Sequence, residues 1–234
     1  MTIIAGFSSS RQGSAPLNLA AQLSSTTGEK VIAAAIVERT LPPGVDPIDD
    51  QYHDYVASHA LAALQRAVDA LPGDPDVSVM VHSSTSIPQG MTELVDQHDA
   101  SLVVVGSSSS GLLGRVALGS VTESLVHTAV VPVVLAPRGY PTSPVPIGRL
   151  TAAYGGAGTT SLIETVGQMA KRWSAKMRIA SFSVRPSTMF VGSIDRSAEA
   201  LVVQQWTRKT TDAVVKSLNE ARASVAIPDV DVVV

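Results

Sequence analysis

The sequence contains no cysteine. Disulfides, thiolate nucleophiles and thiolate metal sites are therefore excluded, and the chain suits a reducing cytoplasm. Aromatic residues make up only 4% of it. Charge is nearly balanced as well: 17 lysines and arginines face 20 acidic residues, a formal net charge of −3. That balance leaves no basic footprint for nucleic acid. No segment reaches the roughly 18–20 consecutive apolar residues of a membrane helix. The opening MTIIAGF lacks the basic start and cleavage site of a secretory signal. The histidines His53, His59, His82, His98 and His127 show no metal-ligand spacing, and no metal site is expected. Together these absences lead us to expect a cytoplasmic protein with neither a nucleic-acid nor a membrane partner.

What the chain does have is small apolar residues. Hydrophobic residues are 45% of 234, and alanine and valine dominate them. Strands of small β-branched residues packed by alanine-rich helices suit a layered α/β protein. The pattern alternates from the start. Ile3–Phe7 reads as a strand, and Ser14 and Pro16 open a helix carrying Leu17, Ala20 and Leu23. Val31–Val37 is a second strand. A long helix follows, with Tyr52, Val56, Ala60, Ala63, Ala67 and Leu71 along one face. Val77–Val81 is a third strand, and Met91, Leu94 and Val95 mark another helix. Leu102–Val105, Ser120–Thr128 and Val131–Leu135 complete the series as strand, helix and strand. Five strands separated by helices predict right-handed crossovers and a parallel sheet covered on both faces, a three-layer sandwich.

The series then restarts. Pro141-Thr142-Ser143-Pro144-Val145-Pro146 reads as a stiff linker. Arg149–Tyr154 repeats the first strand, and Gly155-Gly156-Ala157-Gly158 repeats the first loop. Leu162, Val166, Met169 and Trp173 form a helical stripe, Met177–Val184 repeats the second strand, and Ala198–Ala221 is a long helix. Two copies of one domain are expected: a complete one over 1–138, a linker over 139–147, and a partial one over 148–234. The second copy has no equivalent of residues 106–135.

Parallel sheets bind ligands beyond the carboxyl ends of their strands, where strand order switches. Two loops are candidates to share that crevice, Ser8–Gly13 and Ser107–Gly119. The second holds Gly106-Ser107-Ser108-Ser109, nine residues, then Gly119-Ser120-Val121-Thr122-Glu123. Amides at the start of the following helix make an anion site. Ser120 and Glu123 also have the spacing of a capping box, which needs no ligand. Gly111 and Gly114 are expected to let the loop turn. The acidic residues Asp46, Asp49, Asp50 and Asp54 read as a solvated patch. The lysine of a P-loop is missing, a nucleophile elbow would need glycine at Ser110, and no acid–base pair can be assigned, so no enzyme is expected.

This glycine–serine spacing, with His127-Thr128-Ala129-Val130-Val131-Pro132-Val133-Val134-Leu135 after it, resembles the universal stress protein family, and the restart at Gly148 resembles its tandem members. The resemblance implies the adenine-nucleotide α-hydrolase-like sandwich and a stress-response binding and signalling module that takes ATP, with magnesium, or a related adenine nucleotide. It implies Ser8, Val37, Gly106, Ser109, Gly119, Ser120 and Val121 as the nucleotide-binding positions. Ser8 stands where nucleotide-binding members carry an aspartate, and Ser109 replaces their second glycine. Gly155 is the counterpart of Ser8 in the second copy. These departures favour the alternative, an interaction scaffold that binds no nucleotide and acts by dimerisation. The family also implies pairing through the fifth strand, as a homodimer or an intrachain pseudo-dimer.

Overall fold

Runs of valine, isoleucine and alanine bounded by glycine, proline and serine fold into strands, because their backbone polar groups are satisfied only by a ladder once both faces are covered. In a computed structural model of the chain, residues 2–8, 14–39, 42–73, 75–108, 112–155, 160–181, 196–223, 225 and 230–233 are described. The first unit, Met1–Pro146, contains strands β1 (Thr2–Gly6), β2 (Lys30–Glu38), β3 (Val77–Ser84), β4 (Ala100–Gly106) and β5 (Val133–Ala136). They form a parallel sheet in the order β3-β2-β1-β4-β5. Helices α1 (Ala15–Thr27), α2 (Pro47–Asp69), α3 (Ile87–His98) and α4 (Ser120–Thr128) connect them. This is the expected α/β sandwich around a five-stranded parallel sheet.

Alternation along the central strands divides the core. Ile4, Ile32, Val103 and Val105 point to one face and pack with Met91, Leu94 and Val95 of α3 and Leu125 of α4. Ile3, Val31 and Val104 point the other way and are equally buried. On that face α1 lies over β1 and β4, and α2 over β2 and β3.

Local chemistry sets the helix ends. Asp46 caps α2 by accepting from the Ile48 amide at 2.9 Å. Pro47 follows, where a missing N–H does no harm. Gly28 closes α1 in a left-handed conformation, which favours glycine.

Three sequence expectations shift. The fifth strand begins at Val133 instead of Val131. Pro132 has no N–H to give the ladder and contributes only its carbonyl, which accepts from the Val103 amide at 3.0 Å. The buried face of α2 starts at His53 and not at Tyr52, which is 68% exposed. Leu64 and the half-buried Val56, Ala60 and Ala67 continue that face. The proline-rich segment after β5 folds back on α1. Asn18 Nδ2 donates to the Tyr140 carbonyl at 2.9 Å, Gln22 Nε2 to the Val145 carbonyl at 2.6 Å, and the Tyr140 hydroxyl to Gln22 Oε1 at 2.5 Å. These bonds explain why two amides are buried on the α1 face.

The second unit, Ile147–Val234, has β6 (Arg149–Ala153), α5 (Thr160–Arg172), β7 (Lys176–Ala180), α6 (Arg196–Ala223) and β8 (Asp231–Val233). Its three strands are parallel in the order β6-β7-β8. Element for element this matches β1-α1-β2-α2-β3, the first half of the first unit. Ile163, Met177, Ile179 and Leu218 form its core. The strand expected over Met177–Val184 runs to Ala180, and residues 182–184 lie outside the described residues. Among the described residues no helix is long and apolar enough to cross a membrane.

Candidate functional site

The strand order places the switch beside β1, whose neighbours β2 and β4 are reached by chain segments running in opposite directions across the sheet. Beyond the carboxyl ends of these strands lies a cleft of about 760 Å³. Gly6, Phe7 and Ser8 of the β1 end form its floor. Val37, Glu38 and Arg39 of β2 and Val105, Gly106 and Ser107 of β4 flank them. One wall is α2, with Asp49, Tyr52, His53, Val56 and Ala60; Ile87 and Met91 of α3 and Val121 and Thr122 of α4 complete the lining.

Four of the sequence-predicted residues, Ser8, Val37, Gly106 and Val121, meet in this cleft. Gly119 and Ser120 are not lining residues. They start α4, whose next two residues do line it. Ser109 lies outside the described residues. The capping-box reading of Ser120 is corrected: the N-cap is Gly119, and Ser120 is the first helical residue. A glycine cap has no side chain to spend on the first-turn amides, so the N-cap residue makes no side-chain cap bond. Amides at a helix start are the group that favours an anion.

Neither Gly106 nor Gly119 is held by a backbone conformation that only glycine adopts. Gly119 has φ of −98°, extended backbone open to any residue, and Gly106 is not left-handed either. A side chain at Gly106 would press on Pro16, whose Cγ lies 3.3 Å from the position of a Cβ. Among the described residues of this loop the left-handed glycine is Gly114, with φ of 73°, which turns the chain as its sequence context suggests.

Hydroxyls do two different jobs here. Ser107 Oγ accepts from the Ala117 amide at 2.7 Å and donates to the Ala117 carbonyl at 3.2 Å, while the Ser108 amide donates to the same carbonyl at 2.7 Å. The loop is thus cinched at its base. Thr122 Oγ1 donates to the Gly106 carbonyl at 3.3 Å and fixes the first turn of α4 to the end of β4. Sequence reasoning missed both roles, because four consecutive serines are indistinguishable by pattern.

It also missed the α2 wall. Arg39 pairs with Asp50, whose second oxygen accepts from the Gly44 amide at 2.9 Å. His53 Nε2 lies 3.0 Å from Ser83 Oγ, which satisfies a buried ring nitrogen. The acidic run is therefore not simply solvated: Asp46 caps, Asp50 binds, and Asp49 lines the cleft. Among the described residues no three acidic or histidine side chains gather to hold a metal.

The profile of the Universal stress protein family matches residues 1–137. Universal stress protein Rv2319c of Mycobacterium tuberculosis is 28% identical over 221 residues, covering 92% of this chain and 76% of that protein. A universal stress protein from Archaeoglobus fulgidus superposes with a TM-score of 0.55 at 14% identity, covering 99% of this chain and 77% of its own. A second solved structure, from Pseudomonas aeruginosa, gives 0.50 at 14% identity, with 99% and 73% covered. With the profile spanning β1 to β5, the whole five-stranded sheet, the chain belongs to the universal stress protein family.

Proposed function

We propose that the chain is a cytoplasmic stress-response module that binds ATP or a related adenine nucleotide in the cleft of its first unit, and that it signals by occupancy instead of turnover. The observation that carries the reading is the cleft itself. It is large enough for a nucleotide, it lies at the switch point, and it joins apolar walls to the first-turn amides of a glycine-capped helix. Val37, Val56, Ala60 and Met91 offer apolar surface to a base, and the first turn of α4 offers N–H groups to phosphate. Magnesium, in this reading, arrives with the phosphates. Ser8 lies near the adenosine in this reading and offers it a single hydroxyl, a weaker hold than a carboxylate with two acceptor oxygens.

The test is a calorimetric titration with ATP, with and without magnesium, on the wild type and on Ser120→Glu. Ser120 is exposed in the first turn of α4, where an acid favours the helix, so the variant is expected to fold. Its carboxylate would repel phosphate and weaken binding by roughly tenfold or more. Absence of heat and of any thermal shift at about millimolar nucleotide would sink the reading.

One observation favours the scaffold alternative. β5 is an edge strand, its Val133, Val134 and Leu135 are half-buried, and the neighbouring Val126 and Val130 are 50% and 77% exposed. An apolar edge is a template for strand pairing, so we propose a homodimer through β5 whether or not nucleotide binds.

A further inference from the structure

The cleft has two chemically different ends. One is the anion-binding end, at β4 and the start of α4. The other lies across β1, two strand spacings away, where β2 ends beneath α2. If the nucleotide reading holds, phosphates at the first end place the base at the second. We propose that Asp49 selects that base, its carboxylate accepting a hydrogen bond from an exocyclic amine. The inference rests on the nucleotide reading and adds the residue that discriminates among bases.

Among the described residues, most of the charged and imidazole groups at this end are already engaged. Arg39 is held by Asp50, and His53 Nε2 by Ser83 Oγ. Of the two carboxylates that line the cleft, Glu38 accepts from the Ile87 amide through Oε1 at 3.3 Å. Asp49 is half-buried and has no hydrogen bond or ion pair with any described residue. Capping does not require it either, since Asp46 caps α2.

Its surroundings suit a flat heterocycle. Val37, Val56 and Ala60 are apolar, and the Tyr52 ring stands at the rim. An ionised carboxylate only accepts hydrogen bonds, so it favours a ring edge that carries N–H and disfavours one that carries carbonyl oxygen or nothing. A bond to a charged acceptor in such a site discriminates by roughly ten- to a hundredfold.

The experiment compares ATP with purine riboside 5′-triphosphate, which lacks only the amine, on the wild type, Asp49→Ala and Asp49→Asn. The wild type is expected to prefer ATP by roughly tenfold or more. Asp49→Ala should bind both ligands equally, at the affinity the wild type shows for the analogue. Asp49→Asn keeps a neutral acceptor and the same shape, so it should retain an intermediate preference, and it carries the test if the alanine variant folds poorly. An unchanged preference for ATP in both variants overturns the assignment of Asp49 and leaves the nucleotide reading standing. Failure of the wild type to bind either ligand overturns both.

Discussion

Replacing Gly90 with alanine sets helix propensity against packing. Gly90 lies inside α3. Glycine there costs about 1 kcal/mol relative to alanine, so propensity alone expects stabilisation. The structure reverses the sign. A Cβ there would lie 2.8 Å from Ile36 Cγ2, 3.0 Å from Ser84 Cβ and 3.1 Å from Ile36 Cδ1. The first two atoms sit directly on β2 and β3, which are paired in register, so neither strand yields alone. Overpacking of this kind costs about 1–3 kcal/mol, leaving a net loss of about 1 kcal/mol. For a unit of this size the melting temperature should fall by about 4 °C. Urea unfolding of the wild type, Gly90→Ala, Ile36→Ala and the double variant measures the clash directly. Removing Cγ2 and Cδ1 of Ile36 relieves it, so the double variant should be more stable than the sum of the singles by about the clash itself, about 1–3 kcal/mol. A rise in midpoint for Gly90→Ala, or a strictly additive cycle, refutes the packing argument. Ile36 also lines the cleft, so under the proposed nucleotide reading Ile36→Ala should weaken ATP binding.

Two more tests address the loop and a surface pair. Gly119→Ala should cost only about 0.5 kcal/mol, because alanine is a poorer N-cap than glycine, while φ is extended and the new Cβ meets Ser108 Cβ at an ordinary 3.6 Å. Gly114 is left-handed, so Gly114→Ala should be clearly the more damaging of the two. The cost of a left-handed backbone for alanine is about 1 kcal/mol. Thermal unfolding of the two variants side by side checks the ordering. The His82 Nε2–H donates to Glu93 Oε2 at 2.7 Å, and this bond holds the Glu93 carboxyl below its ordinary 4.5. A carboxylate with a lowered folded-state pKa adds stability above its unfolded pKa and loses it as pH falls through the folded value. The stability advantage of wild type over Glu93→Gln should therefore be full near neutrality and shrink below pH 4.5. An advantage that does not change across that range would show that the pair contributes nothing through charge.

The sheet was legible because its signal is local. Five-to-nine-residue runs such as those of β1 and β2 admit little but a buried parallel strand, and strand order then dictates where the cleft opens. Loss of legibility began where one side chain's partner lies far along the chain. His53 reads as polar, yet Ser83, thirty residues on, satisfies its ring, so it turns inward and Tyr52 is left at the cleft rim. Asn18 and Gln22 interrupt an apolar stripe until carbonyls of Tyr140 and Val145 close over them. Ser107 could not be told from its neighbours until Ala117 met its hydroxyl.

The acidic run shows the same limit within two helical turns. Successive helix positions point about 100° apart, so adjacent aspartates face different surroundings. Asp46, just outside α2, bonds the first-turn amide of Ile48. Asp50 faces the chain that enters the helix, where it gathers Arg39 and the Gly44 amide. Asp49, one residue earlier, faces the open space over β2 and is left with an unused acceptor. Composition assigns all of them one label, while direction assigns each a separate task. Direction is fixed only once Leu64 and His53 have gone down onto the sheet. The burial of α2 is thus what decides which aspartate is free to meet a ligand.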